Sequence, residues 1–114
     1  MRRDDLFLEH ILDSINAIEA FTEGVNRPRF LKERFIQSAV IREIAVIGEA
    51  AKNVSAETRK RHGDIPWKKL SGMRDKLIHA YFAVDLTLVW DTIKQEMPKL
   101  KAEIIQILRH SSEE

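Results

Sequence analysis

The chain has 114 residues, of which 44% are hydrophobic; that suits one domain with a real core and excludes an intrinsically disordered chain. Lys and Arg (19) nearly balance Asp and Glu (18), so a net charge of +1 does not by itself announce a nucleic-acid binder. The absence of cysteine excludes disulfides and Cys-based metal sites and fits a cytoplasmic home, and no apolar run approaches a signal peptide or a membrane span.

The first predicted helix runs from about Asp4 to Phe21, with Leu8, Ile11, Leu12, Ile15 and Ile18 on one face and Asp4 and Asp5 where acids favour a helix start. Gly24, Asn26 and Pro28 interrupt the pattern. A second helix is expected from Arg29 to Asn53. One stripe (Ile36, Val40, Ile44, Ile47, Ala51) lies beside another (Ile41, Ala45, Gly48), a wide apolar face suited to the centre of a bundle. Ser55 reads as the N-cap of a short helix ending near His62-Gly63, and Pro66-Trp67 opens another short turn. Gly72 is expected to punctuate the chain before a third main segment, Met73 to Phe82. Asp85 reads as the cap of the last helix. There Leu86, Trp90, Ile93, Met97, Leu100, Ile104 and Ile107 alternate four and three apart, the seam of nearly parallel or antiparallel helices, and Pro98 should kink or split it. The expected fold is all-α, an up-and-down four-helix bundle with short extra helices over residues 1–110, followed by a flexible tail at 111–114.

Charge is uneven along this chain. Residues 4–23 hold six acids and no Lys or Arg, whereas residues 59–76 hold seven bases against Asp64 and Asp75. The basic stretch leads into the residues that can do chemistry. Arg74 offers a planar, permanently charged fork for a phosphate, His79 moves protons near neutral pH, and the Tyr81 hydroxyl can donate a hydrogen bond or accept a modification. On an ideal helix Arg74 and Tyr81 share a face, whereas His79 lies roughly 140° from Arg74. Either Arg74 reaches round from a helix start after Gly72, or a second chain completes the site; a groove at a dimer interface is expected. Plainer roles compete: Asp75 and His79 four apart can pair on a helix surface, Arg74 can be a solvated base, and Tyr81 a core aromatic.

Arg74-x4-His79-x-Tyr81 resembles the Arg-x4-6-His motif of HEPN domains, in the form found in HepT toxins. The similarity extends to Ile47-Gly48-Glu49-Ala50-Ala51-Lys52, to Ile65-Pro66-Trp67, to Tyr81-Phe82-x-Val84-Asp85 and to Trp90, and so covers nearly the whole chain. The resemblance implies an α-helical homodimer with a composite cleft that cuts RNA (tRNA or mRNA) without a metal or other cofactor. In it, Arg74 binds the scissile phosphate and His79 acts in proton transfer or orients the 2′-hydroxyl. It further implies a minimal nucleotidyltransferase antitoxin that attaches AMP to Tyr81. The alternative is a non-catalytic nucleotide- or protein-binding subunit of a nucleotidyltransferase complex, which would not need Arg74, His79 and Tyr81 together.

Glu49 and Asp75 are supporting candidates, Glu49 either as a buried acid orienting Arg74 or as a rim residue. His10, His62 and His110 lack metal-ligand spacing, and no Gly-rich phosphate loop is present. Trp67 and Trp90 could stack on bases, but the amphipathic pattern around them suits a core role better.

Overall fold

The computed structural model describes residues 2–79 and 85–113; at residues 2, 74, 77–79 and 112–113 the backbone alone is described. Every regular element among them is a helix. In α1 (Arg2–Thr22) the predicted stripe buries Leu8, Ile11, Ile15 and Ile18. The chain then turns at Gly24, whose φ of 72° is the left-handed conformation that glycine adopts without a Cβ penalty. Asn26 caps α2 (Arg27–Lys32), its side-chain oxygen accepting from the Arg29 N–H at 3.0 Å, with Pro28 in the first turn.

The single helix expected over Arg29–Asn53 is two. Glu33 takes an extended backbone (φ −95°, ψ 98°), and α3 (Arg34–Asn53) starts after it. No Gly or Pro marks the break; its cause is tertiary. The bend turns Phe30 fully into the core, its ring centroid 5.2 Å from that of Trp90. Gln37 Nε2 donates to the Phe30 carbonyl at 2.8 Å, satisfying an acceptor that the interrupted helix leaves open. α3 buries Ile36, Val40, Ile44, Ile47 and Ala51 and packs on α1, the central place its wide apolar face predicts.

Ser55 caps α4 (Ala56–Arg61) as expected, accepting from the Thr58 N–H at 3.2 Å. The same residues hold the start of α1. Asp4, 3% exposed, accepts from the Ser55 N–H (2.9 Å), the Ser55 hydroxyl (2.7 Å) and the Thr58 hydroxyl (2.5 Å). Burial opposes the charge on Asp4, but the hydrogen bonds from Thr58 and Ser55 outweigh it and hold the carboxyl below the usual aspartate value. Part of the acidic N-terminus is therefore an internal fastening, beyond the helix-start preference read from the sequence.

α5 (Trp67–His79) is continuous through Gly72, where the sequence suggested a boundary. Trp67 and Leu70 are buried and Met73 packs against the core, so one anchored face outweighs the low helix preference of a single glycine. The expected reach of this segment to Phe82 lies outside the described residues. Asp85 caps α6 (Leu86–Gln95), accepting from the Leu88 N–H at 3.1 Å. α7 (Met97–Glu113) follows after a break at Glu96, as Pro98 predicts, since proline has no N–H to give the preceding turn. Glu96 keeps helical dihedrals (φ −98°, ψ −34°), so the seam carries across the break. Trp90, Ile93, Met97, Leu100 and Ile104 are buried within the chain, which removes the seam as an argument for a dimer. α7 is helical through Glu113, and the Ser111 hydroxyl donates to Asp5 at 2.5 Å. Among the described residues no helix is long and apolar enough to cross a membrane.

Candidate functional site

The motif helix α5 is fixed at its start. The Trp67 indole N–H donates to the His62 carbonyl at 2.9 Å, closing the end of α4 onto the beginning of α5, and the ring is 6% exposed. Trp67 is thus a core residue, as is Trp90, over whose ring the Lys94 ammonium sits at 4.7 Å. Both flanks of α5 are also tied. On one, Lys52 of α3 donates to Asp75 at 3.2 Å; on the other, Lys69 pairs with Glu96 at the α6–α7 corner.

Arg74 and His79 therefore belong to one braced, uninterrupted helix. Position 74 is thus mid-helix, not at a helix start after Gly72. At about 100° per residue their positions stay roughly 140° apart on α5. Tyr81 lies outside the described residues. Asp75, beside Arg74 in sequence, takes part in the bridge to α3. Glu49 is exposed and lies three residues before Lys52 on α3. The carbonyl of Glu49 accepts from the Asn53 side chain at 2.8 Å. Lys52 as the partner of Asp75 was not legible in the sequence, because 23 residues separate them.

A cleft of about 370 Å³ opens on the Lys69 side of α5, lined among others by Asp64, Met73, Glu96, Lys99 and Glu103. Burial and the nearby Asp64 carboxylate push Glu103 above the usual glutamate value, against the pull of Lys99. Three acids (Asp64, Glu96, Glu103) face two lysines (Lys69, Lys99) there, so the cleft offers a polyanion no surplus of positive charge. Among the described residues no three His, Asp or Glu side chains come together to hold a metal ion.

A family model described as ribonuclease HepT-like matches residues 11–107. A Thermococcus cleftensis protein named probable ribonuclease HepT is 44% identical over 97 residues, covering 85% of this chain and 88% of its own. A Caldanaerobacter subterraneus protein provisionally named an RNase is 40% identical, over 90% of this chain and 92% of its own. A Methanocaldococcus jannaschii protein, whose name joins gamma-glutamylcyclotransferase to a provisional RNase, is 48% identical over 95% of this chain. This chain spans about half (49%) of that longer protein. No solved structure matches the chain. The family match spans α1 to α7 and takes in the helix that carries Arg74 and His79. This chain belongs to the ribonuclease HepT-like family.

Proposed function

We propose that this ribonuclease is the toxin of a toxin–antitoxin pair and cuts RNA by metal-independent transesterification at Arg74 and His79, in a groove completed by a second copy of the chain. Arg74 holds the scissile phosphate through its fork and offsets the charge that builds on the phosphoryl oxygens. His79 takes the proton of the 2′-hydroxyl. The 2′-oxygen bonds to phosphorus, the bond to the 5′-oxygen breaks, and that oxygen leaves with a proton from solvent or from an acid across the groove. The products are a 2′,3′-cyclic phosphate and a free 5′-hydroxyl.

The observation that carries this reading is the unbroken α5 helix. It joins the two residue types that such chemistry needs, yet sets their positions roughly 140° apart, so one helix alone does not aim both at one phosphate. A second copy supplies the missing partner. Tyr81, two residues past His79, is the proposed control point. An antitoxin nucleotidyltransferase adds AMP to its hydroxyl, and the added phosphate competes for the guanidinium that should hold RNA.

The test is expression of the chain alone and together with a candidate minimal nucleotidyltransferase from the same genome. Growth arrest by the chain alone, and an intact mass raised by AMP units on co-expression that vanishes in Tyr81→Phe, are the expected results. An unmodified chain that is nonetheless neutralised would assign the partner a steric role and remove Tyr81 from the account. A mass of one chain by light scattering at micromolar concentration would remove the composite groove.

A further inference from the structure

Among the described residues nothing requires glycine at position 72. It is exposed in the middle of α5, and its φ is not positive. Among the described residues a Cβ built on it meets no atom within 4 Å. Alanine would suit the helix better at such a position. What glycine uniquely provides here is room for something outside the chain to come close to the helix backbone.

The residues around it indicate what that is. Lys68 and Lys76 lie four residues before and after Gly72, all three exposed on one side of α5. Among the described residues neither lysine has an ion pair or hydrogen bond, whereas Lys69 is held by Glu96 and Lys52 by Asp75. The two lysines stand about 12 Å apart along the axis, beyond the reach of a single phosphate group, so they would meet different phosphates. Eleven residues after Lys68, the helical period returns the backbone to the same stripe at His79. Arg74 belongs to another side of the helix, and the mixed-charge cleft beside Lys69 to a third.

We propose that the Lys68–Gly72–Lys76 stripe is the track along which single-stranded RNA lies on its way to His79. The lysines neutralise successive stretches of the phosphate backbone, and Gly72 lets the sugar–phosphate chain settle against the helix where any Cβ would hold it off. Charge selects RNA over a second copy as the occupant. Two copies meeting on this stripe about a two-fold axis would set lysine against lysine. The inference rests on the ribonuclease reading and adds the substrate path to it.

The test uses the full-length His79→Ala chain, which binds without cutting, and a fluorescent single-stranded RNA oligonucleotide titrated by anisotropy at several KCl concentrations. Lys68→Ala with Lys76→Ala should weaken binding and lower the slope of log K against log [salt] by about 1.4, the release expected for two phosphate contacts on a single strand. Gly72→Leu should weaken binding with the slope unchanged, and Gly72→Ala should do so more mildly while melting higher than the parent, so that lost affinity cannot be laid to unfolding. Lys32→Ala on α2 should change neither quantity. Parental affinity and slope in all stripe variants, with His79-containing chain still cutting RNA, would overturn the track and leave the ribonuclease reading intact. Loss of self-association in Gly72→Leu at constant RNA affinity would give the face to a second copy and overturn it too. RNA neither bound nor cut by any form would bring down both readings together.

Discussion

Lys52 of α3 and Asp75 of α5 meet at 3.2 Å, next to the motif arginine, and join the central helix to the helix that carries the chemistry. Both side chains are nearly half exposed, at 42% and 46%, so solvent screens their attraction. Such a bridge sets the register of α5 on α3 more than it adds stability. Lys52→Ala is expected to lower the unfolding free energy by less than about 1 kcal/mol, an effect that shrinks further in molar salt. Urea titrations at low and high salt check this; a salt-independent loss of several kcal/mol would show that the pair acts as a buried contact.

Arg74→Ala and His79→Ala should each reduce RNA cleavage by about 100-fold or more, the range expected for removing a proton-transfer group or a charge-stabilising fork, with helical circular dichroism unchanged. Arg74→Lys should restore little, since lysine keeps the charge but loses the paired donors. Cleavage should continue in EDTA. Activity lost on chelation and recovered with a divalent ion would sink the metal-free mechanism.

Asp4 fastens α1 to α4 by accepting three hydrogen bonds, so Asp4→Ala strands part-buried donors on Ser55 and the buried Thr58 hydroxyl and is expected to cost about 2 kcal/mol. The sign of its pH dependence follows from the direction of its shift. The folded carboxyl sits below its unfolded value, so its contribution is complete above about pH 4 and is lost as pH falls through the unfolded and then the folded value. Urea midpoints between pH 2 and 6 should therefore fall more steeply with acid for the parent than for Asp4→Ala. Parallel curves would mean that Asp4 titrates alike in both states.

Glu103 is shifted the other way, by burial and by Asp64. Its ionised form is disfavoured in the fold, so it opposes stability once pH rises above its unfolded value, and the opposition is complete above the folded value. Glu103→Gln is expected to raise the thermal midpoint at neutral pH and to change it little in acid. A lower midpoint at neutral pH would show that the pull of Lys99 outweighs the burial.

Gly72→Ala should stabilise the chain by up to about 1 kcal/mol, because alanine restricts the unfolded backbone and meets nothing in the folded one. For a domain of this size that is a rise of about 4 °C in Tm by calorimetry. A fall in Tm would mean that the position is crowded in the folded protein.

The helical nature of the chain and most of its caps were legible from the sequence, because they depend on residues three or four positions apart. The α1 and α3 stripes, the α6–α7 seam, the Ser55 and Asp85 caps and the interruption before Pro98 are all of this kind. The motif was legible too, as residue types at a spacing, together with the mismatch between Arg74 and His79 that follows from the helical period. What tertiary structure alone decided depends on groups brought together by folding. The break at Glu33 has no local signal and exists because Phe30 must reach Trp90. Asp4 is an ordinary helix-start acid until Ser55 and Thr58, 51 and 54 residues away, close over it. Gly72 reads as a stop until Trp67, Leu70 and Met73 anchor one face of α5 and carry the helix through it. Local pattern selects among backbone states worth about 1 kcal/mol per residue, and the burial of one large side chain exceeds that, so the core has the last word wherever the two disagree.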